Sequence, residues 1–241
     1  MGQASELVCS GAPPNVGFRL DVLTTGRMVV CRELVMNGIS ITALVKQQVI
    51  IPHSDFPNLL TAHLNQSNRG PNGTIALESR GFALRTSSLS SQMTWAGLDA
   101  FIKDVCRWGD YAGISGRVLK SKNNARAKIE GKVGNAILQL NSTPPDIVGA
   151  LRSMMEIKGL GVSFASKHLR FLFPEYCPVL DSILSSRLFY ELSADDYGRF
   201  AAACRGMADE LNSAKIESPL RKPWRPSDVE AALYAWINEW K

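Results

Sequence analysis

Nine residues, IKGLGVSFA at 157–165, constrain this chain more than any other stretch. An apolar run ends just before them, two glycines bracket a single leucine, and a second apolar run takes up Ala165 four positions past Gly161. Gly159 and Gly161 permit backbone conformations and close approaches that a Cβ would block. Leu160 between them can fill the space between two helices, and Ala165 lets the second helix lie close to the first. A turn of this kind leaves the first amides of the second helix pointing outward. With the positive end of the helix dipole, those amides make a seat for a phosphate. Such a seat reads the shape of a nucleic-acid backbone and not its sequence. Alone, the pattern also fits a plain glycine-rich turn between packed helices, so its surroundings matter.

Twenty residues after Gly161 comes Asp181, within CPVLDSIL at 177–184. The second helix of the hairpin, VSFASKHLRFLF, gives way to a short crossover containing Pro178, and Asp181 falls where a further helix starts. An aspartate there serves as an N-cap worth about 1 kcal/mol. Capping and catalysis are compatible, so the cap does not exclude a chemical role.

A hairpin of the form h-x-G-h-G-x-x-x-A, followed at this spacing by P-h-L-D at a helix start, resembles the helix-hairpin-helix DNA glycosylase superfamily. Pro178-Val179-Leu180-Asp181 is most similar to the adenine-excising members, which carry Pro-Ile-Leu-Asp at that place. The resemblance implies that Asp181 is the catalytic acid, and its core covers residues 144–188. Upstream, SKNNARAKI at 121–129 is similar to the asparagine-rich helix start of the 8-oxoguanine-excising branch. There, an asparagine at the position of Asn123 fills the gap left by the flipped base. Trp108-Gly109 also fits bacterial relatives of that branch, extending the likeness to 95–188. No family motif stands before residue 90.

The resemblance further implies what each residue does. The amides of Gly159, Gly161 and Ser163 would grip the backbone beside the lesion, and Asn123, with Asn124, would occupy the vacated stack. Arg117, Lys120, Lys122, Arg126, Lys128 and Lys132 surround that wedge with only Glu130 opposing them, a suitable footing for phosphates. Members that also cut the strand carry a Schiff-base lysine two residues after the second hairpin glycine. Ser163 stands there instead. Lys167, four residues on and hence on the same helix face, could reach the same pocket as an alternative nucleophile. The aromatic residues Trp108, Phe173 and Tyr176 could stack on an extruded base, although such residues more often belong to a core. His53 and His168 read as surface or structural residues.

Periodicity gives the frame. Up to about residue 90, RMVVCREL, ISITALVKQQVII, TIALES and FALRT are short β-branched-rich runs, interrupted by a helix-like stretch at 54–66 and by SNRGPNGT, the clearest loop. From Thr94 on, apolar residues recur three and four apart. WAGLDAFIKDVCRW stops at Gly109, Asn123 and Asn124 open the next helix, and Pro144-Pro145 lead into DIVGALRSMMEI. Ser193 and Ser227 supply start signals for the last two helices. The expected fold is α+β and mainly α, with a mixed, β-containing part at 1–90 and a helical glycosylase-type domain at 91–241.

Bulk numbers agree with this reading without forcing it. A chain of 241 residues with net charge +5 and pI near 9.0 suits nucleic acid. The five cysteines are scattered without metal-knuckle spacing, so neither metal nor cofactor is expected. The iron–sulfur cluster of some relatives needs closely spaced cysteines near the C-terminus, where only Cys204 lies in the last sixty residues. No apolar run reaches the roughly 18–20 residues of a membrane span. The N-terminus lacks the pattern of a secretion signal, which points to the cytoplasm, nucleoid-associated if bacterial. A monomer is expected.

The expected function is excision of a damaged or modified base from double-stranded DNA, with an oxidised purine such as 8-oxoguanine as the default substrate. A defence enzyme removing hypermodified phage bases, for instance glucosylated cytosines, is a second possibility within that class. A catalytically silent helix-hairpin-helix DNA-binding module is the alternative outside it, and a helical interaction protein the third.

Overall fold

A computed structural model of the chain describes backbone and side chains for residues 51–66 and 73–238. For 15–23, 27–36, 39–40, 49–50, 71–72 and 239 it describes the backbone alone. The protein is mainly α. Near the N-terminus, β1 (Asn15–Leu23) and β2 (Arg27–Met36) run antiparallel with Leu20 opposite Val30. The short strands β3 (Ile39–Ser40) and β4 (Val49–Ile51) also pair with β2. A single 3-10 turn (His53–Asp55) leads into α1 (Phe56–Leu64), then α2 (Pro71–Leu89), α3 (Trp95–Trp108), α4 (Ala112–Leu119) and α5 (Arg126–Leu140). The hairpin helices are α6 (Ile147–Met155) and α7 (Val162–Leu172), followed by α8 (Ser182–Leu188), α9 (Ala194–Ser213) and α10 (Pro226–Glu239).

Most helix ends follow from local chemistry. The Thr94 hydroxyl accepts the Gly97 amide at 3.2 Å to start α3, and Gly109 ends it. Asp146 accepts the Gly149 amide at 2.8 Å ahead of α6, and Ser193 accepts the Asp196 amide at 3.1 Å ahead of α9. α10 differs from expectation: it opens on Pro226, and the carboxylate of Asp228, not Ser227, accepts the amide of Arg225.

The segment before residue 90 is where the structure departs most from the sequence pattern. TIALES and FALRT, strand-like in composition, are consecutive turns of the single helix α2. Its inward face is Thr74, Leu77, Gly81 and Leu84, spaced as helical neighbours, and the three side chains are buried. The third member of that stripe is a glycine because α2 crosses α7 there. A Cβ on Gly81 would lie 1.8 Å from the Phe171 carbonyl oxygen. The missing side chain therefore hid the helical period. Of the expected loop SNRGPNGT, 67–70 lie outside the described residues, and Pro71 onward forms the first turn of α2, where proline fits. α4 carried no expectation at all.

One core joins α1 and α2 to the later helices. Phe56 of α1 meets Trp224 edge-to-face at 6.2 Å, His63 meets Tyr234 of α10 at 5.6 Å, and both Phe56 and Leu233 are fully buried. The helical body thus takes in residues from Phe56 on, and packing does not break near residue 90. Among the described residues, no helix is long and apolar enough to cross a membrane.

An ion network locks α2, α7 and α10 together. Glu78 of α2 accepts two hydrogen bonds from Arg225, both at 3.0 Å, and one from Lys222 at 3.3 Å. Arg225 also grips Asp228 through Nε at 2.8 Å and Nη2 at 2.7 Å. Arg170 of α7, only 2% exposed, reaches Glu78 at 3.7 Å and Glu230 at 3.8 Å, with the rings of Trp108 and Phe171 against its guanidinium. Burial pushes the Glu78 carboxyl up, but the Arg225 hydrogen bonds and the charges of Arg170, Arg225 and Lys222 outweigh it and hold the group below its ordinary 4.5. The stability this supplies is complete above the unfolded value and is lost as pH falls through the lower folded one. Glu78→Gln leaves the buried Arg170 and half-buried Arg225 guanidiniums undercompensated and is expected to cost about 3–5 kcal/mol at neutral pH. It should also flatten the acid limb of stability against pH. Urea denaturation of both proteins across that range checks this, and parent-like stability at neutral pH would show the network to be idle.

Candidate active site

The hairpin is built as its sequence suggests, with the two glycines in different roles. α6 ends at Met155, Ile157 and Leu160 are buried between the helices, and the Leu160 amide donates to the Ile157 carbonyl at 3.0 Å. Gly159 has φ +103°, a conformation other residues rarely adopt, and a Cβ there would lie 3.4 Å from Val118 and 3.8 Å from the Arg117 backbone at the end of α4. Gly161 has φ −83° and ψ 178°, open to any residue, and a Cβ there would meet no atom within 4 Å. What Gly161 leaves is open space beside the start of α7. The first intrahelical bonds of α7 are made by Phe164 and Ala165 to the Gly161 carbonyl, so the amides of Gly161, Val162 and Ser163 precede the ladder.

One turn into α7, Lys167 lies almost wholly inside the protein, 4% exposed. Its Nζ donates to Ser163 Oγ at 3.2 Å and to Asp181 Oδ2 at 3.3 Å. Its stem runs along Gly109, where a Cβ would come within 3.0 Å of Lys167 Cδ, and its Nζ faces the Phe164 ring at 5.1 Å. The glycine of Trp108-Gly109 thus makes room for this lysine.

Asp181 caps α8 and meets Lys167 with different oxygens. Oδ1 accepts the amides of Ile183 and Leu184, both at 3.1 Å, while Oδ2 takes Lys167. The residue is 8% exposed. The crossover before it is pinned at both ends. Tyr197 of α9 donates to the Pro178 carbonyl at 3.1 Å, and the Leu180 amide donates to Ser166 Oγ at 3.1 Å. Ser166 and Tyr197 therefore set the position of Asp181. Neither residue stands out in the sequence, because each acts through a carbonyl or amide 14 or 19 positions away.

His168, the neighbour of Lys167, points into the core. Its ring lies edge-on to Phe101, and its Nδ1 sits 2.6 Å from the Phe164 carbonyl. Burial holds its imidazole down to about 4, so it is neutral at ordinary pH. Burial likewise pushes the Cys106 thiol up to about 11, against the pull of the Lys167 charge. Trp108 and Phe173 are core residues, Trp108 edge-on to Phe171 at 4.9 Å, and Tyr176 is half-buried over Phe173.

The two asparagines separate. Asn123 is exposed; its backbone amide donates to Ser121 Oγ and its backbone carbonyl accepts from Lys128 Nζ, both at 3.3 Å. Asn124 neither caps α5, which starts at Arg126 after Ala125, nor presents itself to solvent. Its Nδ2 donates to the Val118 and Lys158 carbonyls at 2.9 and 2.8 Å, and its Oδ1 accepts the Lys158 amide at 2.9 Å. The expectation that Asn124 fills a vacated base stack is thus corrected: its amide is spent on clamping the 120–125 loop to the hairpin. That clamp brings the basic loop and the hairpin turn together. Arg117, Lys120, Lys122 and Lys128 are exposed without a carboxylate partner among the described residues. Arg126 instead pairs with Glu130 at 2.9 Å beside the Trp95 ring, and Lys132 pairs with Glu156.

No protein-family model, no curated protein and no solved structure matches this chain.

Removing the clamp tests its structural role. Asn124→Ala leaves the Lys158 amide and two carbonyls without partners and is expected to cost about 1–3 kcal/mol in denaturant unfolding. The Lys158 amide should then exchange its hydrogen much faster. Unchanged protection of that amide would assign the hairpin's order to its other contacts.

Proposed function

We propose that the protein is a DNA glycosylase of the helix-hairpin-helix type, which turns a damaged or modified base out of duplex DNA and breaks its N-glycosidic bond. The observation that carries this reading is the Lys167–Asp181 pair, buried at 3.3 Å and one helical turn from a hairpin whose surface is open at Gly161. A lysine and a carboxylate withdrawn from solvent side by side are costly unless their chemistry is used or their hydrogen bonds are complete. An oxidised purine such as 8-oxoguanine is the first substrate to test.

A duplex would lie across the hairpin amides and the cations Lys120, Lys122 and Lys128, with phosphate contacts giving affinity without sequence preference. Asn123 would enter the gap left by the flipped nucleotide. As the C1′–N bond breaks, both electrons leave with the base and the sugar becomes cation-like, a charge that the Asp181 carboxylate opposes. Lys167 Nζ, after giving a proton to Asp181 Oδ2, would attack C1′. The C1′–O4′ bond would then break as O4′ takes that proton back from Asp181, and the open-chain imine left on Nζ can be hydrolysed by water to an abasic site. Ser163, where relatives carry the lysine, instead accepts the hydrogen bond that holds Nζ.

Duplexes bearing single modified bases, scored for abasic sites with and without alkali, test the activity. Intact strands across a broad panel would favour a silent DNA-binding module. Asp181→Asn keeps an oxygen for the α8 cap and is expected to lower single-turnover excision by at least about a hundredfold. DNA affinity should stay within a few-fold, and a parallel loss of binding would reduce Asp181 to a cap. Borohydride should trap the wild type on DNA and fail with Lys167→Ala. An adduct that survives this change, or none with the wild type, rules the lysine out as nucleophile.

A further inference from the structure

The most exposed large apolar side chain among the described residues is Tyr111, at 67%. A single exposed aromatic is ordinary on a protein surface. This one is held in a particular place. Its amide donates to the Cys106 carbonyl at 3.0 Å, and its carbonyl accepts the Ile114 amide at 3.0 Å, so the backbone is fixed on both sides. The residue before it, Asp110, sits at φ 61°, in the left-handed region that a non-glycine residue occupies at a cost. That turn directs residue 111 out of the helical body.

Beneath Tyr111 lies Phe164, edge-to-face with ring centroids 6.3 Å apart. Phe164 in turn faces Lys167 Nζ at 5.1 Å and borders Gly109, against which the Lys167 stem packs. Tyr111, Phe164, Gly109 and Lys167 thus form one continuous wall that starts in solvent and ends at the ion pair with Asp181. The aromatic residues that the sequence singled out for stacking lie elsewhere: Trp108 and Phe173 are buried in the core, and the half-buried Tyr176 stacks on Phe173 with Arg205 over its ring.

We infer that Tyr111, backed by Phe164, is the platform on which the extruded base lies while its sugar faces Lys167 and Asp181. The inference rests on the glycosylase reading and adds to it the residue that holds the base. The ligand is a planar heteroaromatic ring released from its stack. Every base has such a face, so the platform supplies affinity without choosing among bases. A phenol ring offers the area at a small entropy cost because it is already pinned.

The test compares two probes on the full chain. One duplex carries 8-oxoguanine on a 2′-fluorinated sugar, which blocks excision. The other carries a tetrahydrofuran abasic analogue, which has no base to stack. Tyr111→Ala is expected to weaken binding of the first about tenfold, the scale of one base–aromatic stack, and to leave the second nearly unchanged. Tyr111→Phe should restore the first. Because the abasic duplex must still bind, a misfolded variant cannot mimic the expected result. Equal losses on both probes would make Tyr111 a wedge or a backbone contact, and no loss on either would leave it without a role; both outcomes overturn the platform. A wild type that binds the modified duplex no better than an unmodified one overturns the glycosylase reading for this base, and the platform with it. A preference in the wild type with an indifferent Tyr111→Ala overturns the platform alone.

Discussion

Helix α7 is buried along nearly its whole length, and that burial dictates much of what surrounds it. Nine of its eleven residues are buried, among them Lys167, His168 and Arg170. Three polar side chains within about one helical turn inside a core must each be matched, because an isolated charge there would cost several kcal/mol. The matches come from three directions. α8 supplies Asp181 to Lys167, α2 and α10 supply Glu78 and Glu230 to Arg170, and His168 stays neutral against its own helix's carbonyl. The positions of α2, α8 and α10 around α7 are therefore electrostatic as well as apolar requirements.

Within this arrangement Asp181 resolves a competition that an N-cap and an ion-pairing carboxylate would otherwise have. The cap consumes one oxygen on two backbone amides, and the second oxygen is left for Lys167. The cap is worth about 1 kcal/mol, less than the cost of burying the charge it orients. Capping alone thus does not explain the buried pair. The latches from Ser166 and Tyr197 hold the preceding crossover, so the carboxylate direction is set by three helices rather than by one rotamer.

The features legible in the sequence were those whose causes are local. The helical pattern from Thr94, the Gly109 stop, the Gly159 turn and the start of α8 at Asp181 each depend on residues a few positions apart, and the structure has all four. Lys167 beside Asp181 was half legible: helical spacing placed it one turn beyond Ser163, but only packing could bury it. What escaped depends on distant partners. Asn124 reads as a helix cap until Lys158, 34 residues away, appears beside it. α2 reads as strands because its contact with α7 uses an absent side chain at Gly81. Tyr111 carries no motif, and its meaning comes from Phe164 alone.

The Asn124 clamp also governs how the outer surface moves. A lysine-bearing loop and a hairpin turn linked only by solvent would fluctuate independently, and any polyanion laid across them would have to order each in turn. Here one side-chain amide couples them, with two hydrogen bonds to Lys158 of the hairpin and a third that anchors it to Val118 at the end of α4. The entropy of arranging the two contacts is lost when the chain folds, once, and not at every encounter. A polyanion that spanned both would therefore meet a spacing already set by the fold.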